Sequence, residues 1–188
     1  MGRLSQTLMF YFVALAAQIA RPAPGTIRAN QVMSFVFRPL SWGDALDVAR
    51  WRYPPPYQMY DLSRAPLLIS VALHRLLAPI GRMGFYAVSS AGDPLVGVFS
   101  FHKLGRTVEL GLALRPDLTG RRIGLGFVEA GMEFARANFA PAQFRLDVAL
   151  FNQRAIRVYE RAGFVRGPRF VRYTRVGPQE FMEMTRLA

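Results

Sequence analysis

Apolar residues along this chain recur with a period of two in some segments and of three to four in others, and the succession predicts a mixed α/β domain. Phe35 to Phe37 reads as a short strand. Ser41 followed by Asp44 three residues on makes a capping box, which opens a helix through Arg50 or Trp51. The stretch from Trp51 to Leu62 holds Pro54, Pro55 and Pro56, so it cannot stay helical and is expected as a stiff aromatic loop. A helix follows from about Ala65 to Leu77. Gly84 to Ser90 and Leu95 to Lys103 then form a hairpin across Ala91-Gly92-Asp93-Pro94, and the short turn Leu104-Gly105-Arg106 leads to a strand from Thr107 to Arg115.

From Gly124 the helical period sets Phe127, Val128, Gly131, Met132, Ala135 and Phe139 on one face, with Glu129, Glu133 and Arg136 toward solvent. Pro141 ends that helix. Phe144 to Leu150 is an apolar-rich strand interrupted by Arg145 and Asp147. Asn152 is placed to cap a helix that Gly163 closes, and Phe164 to Tyr173 and Phe181 to Leu187 complete the chain as strands. After Met33 there is no internal repeat, low-complexity tract or linker, so residues 33–188 are expected to form one α/β domain with a mixed sheet.

Residues 1–32 read as a separate N-terminal extension. Leu8 to Ala17 is an unbroken apolar run behind Arg3, followed by Arg21-Pro22-Ala23-Pro24-Gly25. As a helix such a run spans about 15 Å, roughly half the hydrocarbon thickness of a bilayer, so no stable membrane span is expected. Three readings stand: a start upstream of a natural one at Met33, a helix packing on the domain or a partner, and a targeting segment.

Composition narrows the chemistry. The 188 residues contain no cysteine, which removes disulfides, thiolate nucleophiles and cysteine-ligated zinc and leaves His74 and His102 as nitrogen ligands. Neither lies in a metal-binding spacing, and no G-x-S-x-G elbow or G-x-x-x-x-G-K-[ST] loop is present, so no metal is expected. The net charge of +12 comes almost wholly from arginine, since Lys103 is the single lysine. Arg161, Arg166, Arg169, Arg172 and Arg175 form one local concentration. A solvated strand face accounts for most of it, beside an acidic substrate, a nucleic acid or the phosphates of a cofactor.

Two segments carry specific chemistry. Thr119-Gly120-Arg121-Arg122-Ile123-Gly124-Leu125-Gly126 is a glycine-bearing turn opening a helix, where unpaired N–H groups and the positive end of the helix dipole suit a pyrophosphate. Asn152-Gln153-Arg154-Ala155-Ile156-Arg157-Val158-Tyr159-Glu160-Arg161-Ala162-Gly163-Phe164 places a tyrosine seven residues after the capping Asn152 and three before Ala162-Gly163-Phe164. A strand ending at Pro116, the turn, a helix, a second strand ending near Asn152 and a short helix bearing Tyr159 follow in that order. The arrangement resembles the GNAT family of acetyl-CoA-dependent N-acetyltransferases over most of residues 34–187.

The resemblance implies a mixed central sheet with a splay between the strands at 107–115 and 144–150, and acetyl-CoA as acetyl donor. The family's loop reads Arg/Gln-x-x-Gly-x-Gly/Ala. Arg121 to Gly126 matches that short pattern, whereas counting from Pro116 aligns Thr119 to Gly124 and puts Arg122 at a usual glycine. The second register is preferred because it also places Phe127 and Val128 at the apolar helix positions. Either way the resemblance assigns cofactor contacts to Thr119, Gly120, Arg121, Arg122, Ile123, Gly124 and Leu125, to the strand edge at Leu112, Ala113 and Leu114, and to Asn152. Taken singly these are ordinary core, turn and cap residues; their joint spacing carries the assignment.

Acetyl transfer needs a neutral amine, stabilisation of developing negative charge and a proton for the departing thiolate. The resemblance gives the last role to Tyr159, whose phenol is close enough to a thiol in pKa that donation costs about 2 kcal/mol. The alternative is that Tyr159 completes the apolar stripe of its helix. The N–H near Leu114 is the implied oxyanion contact, and Glu109 the implied base, with His102 as a second candidate and an exposed strand glutamate as the plain reading. The acceptor pocket is assigned to Trp51, Tyr53, Tyr57 and Tyr60, whose rings could flank an amine or form a rigid lid. The expected function is an N-acetyltransferase acting on a primary amine of a small molecule or protein, in the cytoplasm, with homodimerisation among its expected associations. The alternative is a GNAT-fold binding module holding nucleic acid or an acidic partner through its arginines.

Overall fold

The computed structural model of the protein describes residues 13–14, 34–62 and 83–188. The helix expected at 65–77, His74 and most of the N-terminal extension lie outside the described residues. Within them the chain runs β1 (Val13–Ala14), β2 (Phe35–Pro39), α1 (Trp42–Val48), β3 (Met83–Ser90), β4 (Asp93–Leu104), β5 (Thr107–Leu114), α2 (Gly124–Phe139), β6 (Gln143–Ala149), α3 (Gln153–Arg161), β7 (Val165–Thr174) and β8 (Gly177–Leu187). The strands form one mixed sheet in the order β2-β3-β4-β5-β6-β8-β7, with β1 pairing to β5 off that path. All contacts along the order are antiparallel except β5 with β6, which is parallel.

The two faces of the sheet carry separate apolar clusters. One gathers Phe99, Phe101, Leu110, Leu112, Leu114, Phe144 and Leu146 against Phe127, Val128 and Met132 of α2 and Ile156 and Tyr159 of α3. The buried set of α2 is the one its period predicts: Phe127, Val128, Gly131, Met132, Ala135 and Phe139. Arg136 is half-exposed: it pairs with exposed Glu133 at 3.3 Å and its guanidinium lies 5.4 Å over the Phe144 ring. The opposite face packs α1 and the 51–62 loop over Ala87, Val98, Ala113, Ala149 and Phe181. The capping box holds α1 there, with the Ser41 hydroxyl accepting from the Asp44 N–H and the Asp44 carboxylate accepting from the Ser41 N–H.

Two other boundaries differ from the sequence reading for local reasons. β8 begins at Gly177 instead of Phe181, because Gly177 takes φ +97 and lets β7 turn directly into it, pairing Thr174 with Gly177. Asp93 and Pro94 join β4, because Gly92 at φ +78 closes the hairpin in two residues. The arginine run on β7 is also not one solvated face. Arg172 is nearly buried, with its side chain 12% exposed and its Nη2 donating to Asp147 at 2.7 Å, while Arg166 pairs with Glu160.

At Gly131 α2 presses directly on the sheet. A Cβ built there would stand 2.3 Å from Cε1 of Phe99, itself stacked on Phe101. Alanine gains about 1 kcal/mol of helix propensity over glycine, but overpacking a filled core costs about 1–3 kcal/mol. Gly131→Ala is expected to lower the unfolding free energy by about 1 kcal/mol; an unchanged or raised denaturant midpoint would mean that α2 does not press on Phe99.

Candidate active site

The parallel ladder between β5 and β6 is short. It pairs Thr107, Val108 and Glu109 with Gln143, Phe144 and Arg145 and goes no further, although β5 stays paired to β4 as far as Leu114 opposite Gly97. Beyond Glu109 the two strands therefore splay, as the sequence reading expects. The hydrogen-bond phase decides what lines the gap. Arg115 N–H bonds Val96 O at 2.9 Å, and hydrogen-bonded pairs alternate along an antiparallel ladder, so the main-chain groups of Gly111 and Ala113 face β4. Those of Leu112 and Leu114 face the splay. β1 pairs in parallel along this same edge, Val13 opposite Leu112 and Ala14 opposite Ala113.

At the outer end of β5 the chain makes a short turn of 3-10 helix over Pro116–Leu118 and enters the glycine-bearing segment. The Thr119 hydroxyl donates to the Pro116 carbonyl at 2.7 Å, fixing the start of the turn. Gly120 takes φ +80 and Arg122 φ +63, both in the left-handed region. That region costs a side-chain-bearing residue about 1–2 kcal/mol and is ordinarily given to glycine. The backbone at position 122 is thus shaped as for a glycine, which agrees with the register counted from Pro116. The turn survives the arginine, whose side chain points outward and is exposed. α2 then begins at Gly124 with no side-chain cap on its first N–H groups.

α3 supplies the other wall. Asn152 caps it, its Oδ1 accepting from Ala155 N–H at 3.2 Å, and its Nδ2 donates to the Tyr60 hydroxyl at 3.3 Å. Two turns on, Tyr159 is fully buried and its hydroxyl has no hydrogen-bond partner among the described residues. Burial, with a smaller contribution from neighbouring Tyr60, holds the phenol well above its ordinary pKa, so its proton stays on oxygen across the physiological range. An orphaned buried hydroxyl costs about 1–3 kcal/mol. A phenol serving only as packing would be as well replaced by phenylalanine.

The 51–62 loop closes the site from the opposite face of the sheet. Its Tyr53 hydroxyl donates to the Leu114 carbonyl at 2.8 Å, the group that β6 would have bonded had the ladder continued. Trp51, Tyr53 and Tyr60 are buried, and Tyr57 alone of the four aromatic residues assigned to acceptor contact is half-exposed. Tyr57 and Tyr60 both pack on Phe151, at 5.8 and 6.0 Å between ring centres. Sequence reasoning missed Phe151; an apolar residue standing just before the helix cap at Asn152 is the signal that could have found it.

Glu109 faces this same side, at the vertex of the splay. It is not an exposed strand glutamate, for its side chain is 13% exposed and bonded to Arg145, which also bridges to Glu183 at 3.2 Å. Burial pushes its carboxyl above the ordinary range, opposed by the Arg145 guanidinium. His102 lies opposite Glu109 on β4, and burial, with help from Arg145, lowers its pKa so that its ring stays neutral.

The family model described as "Acetyltransferase (GNAT) domain" matches residues 34–165, more than half of the chain. The chain belongs to the GNAT acetyltransferase family. Solved structures agree on the fold. A Vibrio cholerae spermidine N-acetyltransferase in complex with CoA and spermine superposes with a TM-score of 0.65 at 18% identity, covering 81% of this chain and 95% of that one. A chimera of the Vibrio cholerae spermidine N-acetyltransferase SpeG and hSSAT reaches 0.67 at 17% identity, with 81% and 95% covered. A dodecameric form of the Vibrio cholerae enzyme gives 0.65 at 18%, with 81% and 93% covered. No curated protein matches by sequence. Among the described residues of this GNAT chain, no helix is long and apolar enough to cross a membrane.

The Tyr53–Leu114 bond ties the loop to the splayed edge and is open to test. Tyr53→Phe keeps the ring and leaves the Leu114 carbonyl without its donor, so a loss of about 1–3 kcal/mol in unfolding free energy is expected by denaturant titration. A loss within error of zero would show that solvent already satisfies that carbonyl.

Proposed function

We propose that this GNAT chain is an acetyl-CoA-dependent N-acetyltransferase that acetylates a primary amine of a small molecule or protein. The observation that carries the reading is the fully buried hydroxyl of Tyr159, without a hydrogen-bond partner among the described residues, beside a splay whose edge presents the main-chain groups of Leu112 and Leu114. Acetyl-CoA, when bound, supplies the acyl group activated as a thioester. The edge at Leu112, Ala113 and Leu114, beyond the last pair with β6, would hold its extended arm by main-chain hydrogen bonds along the line where Val13 and Ala14 pair. The turn from Thr119 to Leu125, with the uncapped start of α2, would hold its phosphates.

Each remaining residue has a task that its surroundings support. Tyr159 keeps its proton at neutral pH and gives it to the departing sulfur. The Leu114 N–H, held toward the splay by the strand phase, supplies a donor for developing negative charge. Asn152 acts one step removed, capping the helix that carries Tyr159 and bonding Tyr60. Glu109 takes the proton of the incoming amine through water, and burial makes its carboxylate more basic than usual. Nothing in the site favours the binding-module alternative.

Acetyl-CoA is expected to raise the melting temperature of the folded protein by mass action. An unchanged Tm at millimolar acetyl-CoA would remove the proposal. Tyr159→Phe should cut turnover by about 100-fold with little change in acetyl-CoA affinity, as loss of a positioned acid does. Full turnover in that variant would make Tyr159 a packing residue.

Residues 33–188 are proposed as the complete acetyltransferase domain. A chain starting at Met33 should bind acetyl-CoA at least as tightly as the full chain, because Val13 and Ala14 lie along the edge that the cofactor arm would use. Insolubility, or loss of the thermal shift, would make residues 1–32 part of the domain.

A further inference from the structure

Most carboxylates of this protein are committed to arginines. All twelve Asp and Glu residues lie among the described residues, and nine of them each sit in an ion pair with an arginine. Asp61 accepts instead from the Tyr53 N–H at 2.8 Å. The two that remain are away from the acceptor side: Glu129 is on the exposed face of α2, and Glu180 adjoins Phe181 on β8 and so points to the other side of the sheet. On the acceptor side, Glu109 is held by Arg145 and Asp147 by Arg172. A polycationic acceptor would therefore meet there one carboxylate without an arginine partner, that of Asp61, within a chain of net charge +12.

At the two ends of the acceptor loop, two arginines outnumber the single carboxylate of Asp61. Arg175, exposed in the β7–β8 turn, donates to the Asp61 carbonyl at the end of the loop and has no carboxylate partner. Arg52, exposed at the loop's beginning, bonds among the described residues the carbonyls of Ala49 and Trp51, each at 2.8 Å. On the same face of the sheet Tyr57 and Tyr60 pack on Phe151, and Arg172 stands 4.6 Å over the Phe181 ring. A guanidinium anchored through one N–H to a carbonyl keeps its other N–H groups for a planar anion.

We propose that the acceptor is an amine bearing an anionic group, and that Arg175 is the residue that selects for it. This rests on the N-acetyltransferase reading and deepens it to a substrate class. A free amino acid and the N-terminus of an acidic peptide share the required chemistry, an amine with a carboxylate within reach.

The test measures thiol release by the full-length protein with acetyl-CoA and matched acceptors. These are methionine against methioninamide, a peptide beginning Ser-Asp-Glu against one beginning Ser-Asn-Gln, and spermidine. One or both anionic acceptors should exceed their neutral partner and spermidine in kcat/KM, and their KM should rise with ionic strength; which of the two does so separates amino acid from peptide. Arg175→Gln should raise KM for the preferred anionic acceptor about tenfold, leaving kcat and the neutral partner unchanged, while Arg175→Lys keeps part of the preference. Spermidine as the better acceptor, an Arg175→Gln variant that still discriminates acid from amide, or acetyl-CoA binding without turnover of any anionic acceptor would each overturn the proposal. Absence of an acetyl-CoA thermal shift would instead overturn the underlying acetyltransferase reading.

Discussion

Three parallel pairs between β5 and β6, ending at Glu109 and Arg145, set the geometry on which everything else in the site depends. They hold the two halves of the sheet together at one end and leave them apart at the other. A full ladder would have consumed the main-chain groups of Leu112 and Leu114, and buried amides do not stay unpaired without penalty. The splay stands because other partners are built in. Tyr53 takes the Leu114 carbonyl, and the wedge is walled by α3 on one face of the sheet and the aromatic loop on the other. Tyr159 from the first face and Tyr60 from the second thus come near each other at the gap.

The same vertex organises the charge. Glu109 and Arg145 occupy the last paired register, and Arg145 continues to Glu183, with Asp147 and Arg172 two residues further along β6 and on β7. Side chains of like parity on neighbouring strands fall on one face, so the row follows from register alone. A half-buried row of this kind must be paired internally. That pairing commits Glu109, Asp147 and Glu183 to arginines, which separates the electrostatics of this chain from its fold: a superposition at a TM-score near 0.65 reports the backbone and says nothing of where charges are committed.

Local rules carried much of the structure. The capping box at Ser41 and Asp44, the buried stripe from Phe127 to Phe139, the cap at Asn152 and the left-handed Gly163 each depend on residues within a few positions of one another, and each stands where the sequence puts it. The glycine-bearing turn at 119–126 was legible in the same way. Its ambiguity of register was not local, because it concerned which residue takes positive φ, and Arg122 gives no sign of that in its side chain.

What the sequence by itself determined, then, is the order and type of the elements, the helix faces that go inward and the family to which the chain belongs. Only the tertiary structure decided that Glu109 is paired with Arg145, that Tyr53 and Tyr60 are buried, that Phe151 packs on Tyr60 and that Arg175 bonds the Asp61 carbonyl. The physical reason is separation along the chain. Glu109 and Arg145 are 36 residues apart and Asp61 and Arg175 are 114 apart, and such contacts exist only once a parallel register and a turn between distant strands have been chosen by the packing of both faces.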